Sequence, residues 1–308
     1  MSADYWNAAS ITAPPISTRE KRLIMTTLID RISHVLDQEI TSLRSLSGGC
    51  VGEVYAAQQQ DGTQVVAKVD AGKNPRLSIE AQMLTYLGAH TSLTVPRVLH
   101  REDSLLIMTF LENDGRPGKD AEIEAADALA KLHTITAETY GFENDTLIGG
   151  LTLPNPQSSN WPEFFADQRL RDMARRCLDT NRLDAHTFDR IDTLADDIHE
   201  LIEAPRPPSL IHGDVWSGNV LFHQGHLAGF IDPAIYFADP EIELAFISLF
   251  HTFGDRFYAR YREHHPIEPG FFELRKDLYN LFPLLVHARL FGGSYVRSIQ
   301  TTLRQLGY

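Results

Sequence analysis

Between Leu210 and Pro233 the chain runs Leu210-Ile211-His212-Gly213-Asp214-Val215-Trp216-Ser217-Gly218-Asn219-Val220-Leu221-Phe222 and closes on Ile231-Asp232-Pro233. No other stretch constrains the fold as tightly. It sets two carboxylates and one amide at fixed spacing inside an apolar frame. Asp232 follows Leu227, Phe230 and Ile231, where a carboxylate is costly unless it is paired or bound to a cation. Loop-capping Asp and Asn side chains would account for any one of these groups. They do not account for three of them coinciding with the polar residues found upstream.

Those upstream residues lie on alternating strands. Ile40 to Leu46 alternates like a strand and enters Ser47-Gly48-Gly49-Cys50-Val51-Gly52. Glu53 to Gln59 and Gln64 to Val69 flank the turn signal Asp61-Gly62. Taken alone, the glycine run reads best as a hairpin requiring positive φ. Its neighbour strengthens the alternative, in which backbone N–H groups of Gly48, Gly49, Cys50 and Gly52 approach phosphates. Val65-Val66-Ala67 leads into Lys68, a lysine at the end of the third strand. Glu80 lies on the next helix, read over Arg76 to Leu87, and is positioned either to pair with Lys68 or to sit on a solvated face. Short strands follow at Val95 to Leu99 and Leu105 to Phe110. Met108, Thr109, Phe110 and Leu111 end the last of these and read as a hinge pairing with adenine, or else as a buried strand end.

The chain changes character at the polar run 112–118. Beyond it helical spacing dominates: 119–137, 161–179, 186–203, 240–250, 255–263, and 270–304 in two pieces broken near Pro283. Val220 to Phe222 and Leu227 to Ile231 form a small hairpin around Gln224-Gly225. Helical spacing also covers 23–38. The expected organisation is α+β and bilobal: residues 1–22 a flexible tail, 23–112 a nucleotide-binding lobe of antiparallel sheet plus one main helix, and 113–308 a helical catalytic and substrate lobe.

Charge and composition narrow the partners. The chain has 308 residues, 43% hydrophobic and 22% charged, enough for two lobes with a sizeable core. A net charge of −13 argues against nucleic acid or an anionic membrane as partner. Cys50 and Cys177 are the only two cysteines, too few for a disulfide framework or a structural zinc site. No run approaches the length of a membrane span, and the N-terminus lacks an apolar signal core. The expected compartment is the cytoplasm.

The Asp214–Asn219 interval and the later Asp232 reproduce the catalytic set of protein kinases. In that reading Asp214 orients or deprotonates an acceptor hydroxyl, and Asn219 and Asp232 hold Mg²⁺ on ATP. Lys68 and the loop amides neutralise developing charge, while His212 braces the loop. Two departures matter. His212-Gly213-Asp214 lacks the arginine that receives an activation-loop phosphate. Asp232-Pro233-Ala234 runs within a few residues into a helix, leaving no platform for a peptide. The acceptor is therefore expected to be a small molecule or a small adduct.

Over both lobes the sequence resembles aminoglycoside/choline-type phosphotransferases, and within them most closely the fructosamine kinases, or ketosamine-3-kinases. The resemblance is carried by Ser47-Gly48-Gly49-Cys50, by Trp161 with Phe164-Phe165 and Arg169-Leu170, and by His212-Gly213-Asp214 with Trp216-Ser217-Gly218-Asn219. It continues through Asp232-Pro233-Ala234 and Leu290-Phe291-Gly292-Gly293-Ser294-Tyr295. It implies ATP- and Mg²⁺-dependent phosphorylation of the sugar 3-hydroxyl of a ketosamine or glycated lysine adduct, and thus deglycation repair. Bacterial-type members are associated more with ribulosamine and erythrulosamine than with fructosamine. Glu243 stands where such kinases usually have Asp. Trp216, close to the expected base, reads as a pocket wall stacking on the sugar, or else as a core tryptophan. His287 and Tyr295, on the last helices, read as core, or else as lining the acceptor side. Cys50 is either a small loop residue or a redox switch, in the latter case allowing a homodimer linked through Cys50 as well as a monomer. The competing functions are an aminoglycoside, choline or methylthioribose kinase of the same fold, and a non-catalytic nucleotide-binding scaffold.

Overall fold

The structure, a computed structural model, describes residues 18–46, 52–202 and 206–308. Gly48, Gly49 and Cys50 of the glycine run lie outside the described residues, as does the tail to residue 17. The first helix, α1 (Thr18–Leu36), begins before the expected residue 23.

A five-stranded antiparallel sheet follows, in the order β1-β2-β3-β5-β4. Its strands are β1 (Ile40–Leu46), β2 (Glu53–Gln59), β3 (Gln64–Val69), β4 (Val98–Glu102) and β5 (Leu105–Thr109), with α2 (Leu77–His90) between β3 and β4. The pleat decides which residues meet which helix. Tyr55, Ala57, Val65, Ala67, Leu105 and Ile107 pack with Leu28 and Ile32 of α1. Leu106 and Met108 pack with Leu77, Ala81 and Leu84 of α2. Lys68, next to Ala67, therefore points to the α2 side.

Helices dominate the rest. α3 (Ala121–His133) precedes the short hairpin β6 (Thr146–Ile148) and β7 (Leu151–Leu153). α4 (Trp161–Phe164) runs through a π-helical stretch, Phe165–Arg171, into α5 (Asp172–Asp179). α6 (Ala185–Asp196) and α7 (Ile198–Leu201) lead to β8 (Ser209–Ile211). The hairpin of β9 (Val220–His223) and β10 (His226–Phe230) comes next, and then β11 (Tyr236–Ala238), which pairs with β8. α8 (Glu241–Leu249), α9 (Asp255–His264), a π-helical turn Phe271–Arg275, α10 (Lys276–Phe291) and α11 (Ser294–Gln305) complete the chain.

Three expectations are corrected. The last helical stretch does not break at Pro283, which lies inside α10. It breaks at Gly292 and Gly293, whose φ values of +67° and +61° suit glycine. A proline costs one helical hydrogen bond, but residues Leu278 through Ala288 are all buried, and packing keeps the helix continuous. β4 starts at Val98 rather than Val95, and the stretch expected as one helix over 186–203 is split into α6 and α7.

Candidate active site

The strands converge on one buried ion cluster. Lys68 Nζ lies 2.8 and 2.9 Å from the two Glu80 oxygens and 2.7 Å from Asp232 Oδ1. Burial alone would lower the lysine pKa, but Asp232 and Glu80 together hold it above its ordinary value. Glu80 is only 8% exposed, so it faces the cluster and not solvent. Burial raises its pKa against the pull of Lys68. Gly52, the one described glycine of the loop, has φ +74°, and a Cβ there would sit 2.3 Å from the Val69 carbonyl oxygen. The backbone that leads out of the glycine run thus presses against the residue after Lys68.

Asp232 itself has φ +53°. Left-handed backbone is uncommon outside glycine, although Asp tolerates it, and it recurs where a site fixes a side chain. The segment after it lies tight against the 212–214 loop. Ala234 N–H donates to His212 O at 2.7 Å, and Gly213 has φ +84° with room for no side chain. Gly213 therefore stands where an arginine would collide with the backbone of Ala234.

Asn219 Nδ2 donates to Asp214 O at 3.0 Å and to Asp214 Oδ2 at 2.8 Å. Ile231 N–H donates to Asn219 O at 3.0 Å, which ties the loop to β10. Burial, followed by the like charge of Asp232, pushes the Asp214 carboxyl up to about 8. His212 is fully buried, and its Nδ1 accepts from Asp214 N–H at 3.3 Å. Burial holds its imidazole below the usual range, so it is neutral.

Beneath the loop lies a brace whose full extent the sequence does not show. Glu243 Oε1 accepts from Gly213 N–H at 2.6 Å, and Oε2 from His212 N–H at 3.3 Å. His133 Nε2 lies 2.9 Å from Glu243 Oε2, and its Nδ1 2.7 Å from the Tyr261 hydroxyl. Burial would raise the Glu243 carboxyl, but the hydrogen bond and charge of His133 and the Gly213 amide hold it below its ordinary range. Glu243 was visible as an unusual acid after the Asp232 segment. His133 and Tyr261 carried no signal, because each ends or interrupts an ordinary helical pattern. Glu243→Gln turns an acceptor oxygen into a donor facing buried N–H groups. The expected cost is about 2 kcal/mol of stability, read as a lower midpoint in chemical denaturation, together with reduced turnover.

The expected hinge lies over the β9–β10 hairpin. Met108 is buried and pairs with Val66, and Thr109 pairs with Val65. Phe110 and Leu111 are half-buried. The linker then docks on the hairpin: Asp114 N–H donates to Phe222 O and Gly118 N–H to Gly225 O, both at 2.9 Å. Gly229 sits where a Cβ would lie 2.6 Å from Thr94 O and 2.9 Å from Leu111 Cδ1. Trp216 is half-buried, and its indole covers Gly218, where a Cβ would be 2.0 Å from the ring. The Trp-Ser-Gly sequence is therefore one packed unit beside Asp214. His287 is buried at 4% exposure, donates to Pro283 O at 2.7 Å, and lies among Phe250, Phe291 and Tyr295. Cys177 is buried, and burial pushes its thiol up to about 11, which makes it unreactive.

With this geometry in place, comparison with known proteins is specific. The fructosamine kinase family model matches residues 24–307. A probable ketoamine kinase of Synechocystis is 33% identical over 91% of this chain and 95% of its own length. The chloroplastic protein-ribulosamine 3-kinase of Arabidopsis thaliana is 30% identical over 86% of this chain and 82% of its own. The crystal structure of a candidate fructosamine-3-kinase from Thermobifida fusca superposes with a TM-score of 0.82 at 30% identity, covering 91% of this chain and 98% of that one. The fold is that of the protein-kinase-like phosphotransferases, and the chain belongs to the fructosamine kinase family of kinases.

Proposed function

We propose that this kinase transfers the γ-phosphoryl group of ATP to the 3-hydroxyl of ketosamines. These are the ribulosamine, erythrulosamine and fructosamine adducts that reducing sugars form on amines. Phosphorylation would then begin deglycation, in the cytoplasm. One observation carries the reading: Lys68, remote in sequence, meets Asp232 beside Asp214 in a chain whose residues 24–307 match the family model.

Each residue has a role in this reading. The sheet lobe, to residue 112, holds the nucleotide, with Met108 to Leu111 pairing with adenine. Gly52 and the glycines before it bring backbone amides to the phosphates, and Lys68, aligned by Glu80, neutralises them. Residues 113–308 supply the chemistry. Asp214 orients the acceptor hydroxyl and takes its proton as the oxygen attacks the γ-phosphorus, while the bond to the β,γ-bridging oxygen breaks and ADP leaves. A raised proton affinity suits a carboxylate to that task. Trp216 walls the sugar, and His212 and Glu243 hold the loop.

The donor set also fits a hard cation. Asn219 commits its Nδ2 to Asp214, which leaves Oδ1 as the atom that would serve as a ligand, and Asp232 would supply a carboxylate oxygen. Among the described residues no group of three His, Cys, Asp or Glu could hold a metal ion. Two protein oxygens with phosphate and water making up the shell is the usual pattern for Mg²⁺. When bound, Mg²⁺ would supply charge neutralisation on the phosphates.

An ATP-consumption assay with ribuloselysine, fructoselysine, kanamycin and choline tests the acceptor. Turnover with a ketosamine and with neither of the others is expected. Turnover with kanamycin or choline alone would replace the acceptor assignment, and no ATP-dependent turnover with any acceptor would favour a scaffold.

A further inference from the structure

α2 carries Glu80, yet both its ends are held by the helical part of the chain. At the first end Arg76 Nη2 donates to the Gly150 carbonyl at 2.5 Å, and Nη1 donates to the Thr152 hydroxyl. Both acceptors belong to the β6–β7 hairpin. That hairpin is in turn fixed from behind. Arg176 Nη1 donates to Thr152 O at 2.7 Å, and Gly149 abuts Leu290 so closely that a Cβ would sit 2.7 Å from its Cδ1. At the other end Tyr86 meets Phe142 edge-on, with ring centroids 4.9 Å apart. Between these two anchors Glu80 grips Lys68 through both carboxylate oxygens.

In protein kinases the equivalent lysine–glutamate pair forms only when the helix bearing the glutamate is drawn in, a step governed by the activation segment and its phosphate. This chain has Gly213 in place of the phosphate-binding arginine. The segment after Asp232 is occupied by β11, paired to β8. We propose that Arg76 and the β6–β7 hairpin perform that task instead, clamping α2 to the helical part so that Glu80 stays on Lys68. Arg76 is then a positioning residue that acts through Glu80. Without the clamp α2 turns outward, Glu80 leaves the cluster, and Lys68 swings to Asp232 alone, out of line for the phosphates.

The inference rests on kinase chemistry and not on the identity of the acceptor, so its test reads nucleotide directly. Affinity for mant-ATP with Mg²⁺ is measured for wild type, Arg76→Ala, Thr152→Val, Glu80→Gln and both double variants with Glu80→Gln. Amide exchange of residues 77–90 and thermal midpoints are recorded alongside. Arg76→Ala is expected to weaken binding roughly 10-fold and Thr152→Val about 3-fold, with faster exchange across α2. Arg76→Lys, which keeps the charge and one donor, is expected to recover part of the loss. In the Glu80→Gln background the Arg76 and Thr152 effects should shrink to about 2-fold or less, because coupled residues are non-additive. Wild-type affinity in Arg76→Ala and Thr152→Val would overturn the clamp. So would losses that multiply unchanged with Glu80→Gln, which mark a merely structural role. If Arg76→Ala does not fold, Thr152→Val and its double variant with Glu80→Gln carry the same cycle. Failure of ribuloselysine turnover alone would overturn the acceptor and leave these readings intact.

Discussion

Asp214→Asn is expected to lower turnover about 10³-fold, the scale of a lost general base, while raising the thermal stability of the ligand-free protein. The second half follows from the first site's electrostatics. In the fold the Asp214 carboxyl is pushed from 3.8 up to about 8, by burial and then by Asp232. The unfolded chain releases this proton near the ordinary value and the folded chain only near 8. Between those limits the folded state binds the extra proton, so stability falls as pH rises. Asparagine still accepts from Asn219 and carries no charge to bury. The variant's gain in Tm should therefore grow from about pH 4 to about pH 8 and then level off. Calorimetry of both proteins in EDTA across that range is the measurement. A variant with wild-type turnover would remove Asp214 from the chemistry, and a gain in Tm that shrinks with pH would contradict the burial argument.

Gly213→Ala is expected to be severely damaging for a single added methyl group. The added Cβ would lie 2.1 Å from Ala234 O and 2.8 Å from its carbonyl carbon, at φ +84°. Left-handed strain and overpacking against backbone, not against a flexible side-chain end, together cost about 3 kcal/mol. That corresponds to a fall in Tm of roughly 5–10 °C. The segment that must move bears Asp232, and misplacement by about 1 Å costs on the order of 10²-fold in rate. Thermal unfolding and steady-state kinetics on the same preparation check both halves. An alanine variant of normal stability and rate would mean that the two loops are not locked together. The same geometry accounts for a glycine where many kinases have arginine.

Much of this was legible in the residues. β1, β2 and β3 have the limits that alternation and the Asp61-Gly62 turn dictate, and β2 and β3, whose central residues are buried, pack between the helices on either side. Lys68 was legible from its place at the strand end. Glu80 was much less so, since helical spacing alone gives a paired acid and a solvated one the same sequence, and only the approach of β3 separates them. The β6–β7 and β8–β11 pairs escaped notice, because three-residue strands have no period to read. Pro283 misled for the opposite reason, a strong local rule overridden by packing around α10. The wire from Tyr261 through His133 to Glu243 joins residues remote in sequence, and only tertiary structure brings them together.

The stretch Pro233 to Pro240 is the whole connection between Asp232 and α8, and β11 consumes the middle of it in pairing with β8. A segment spent on backbone hydrogen bonds has no free length with which to present a serine or threonine to a signalling enzyme. Control by phosphorylating that segment, the device protein kinases use, therefore has nothing to act on here.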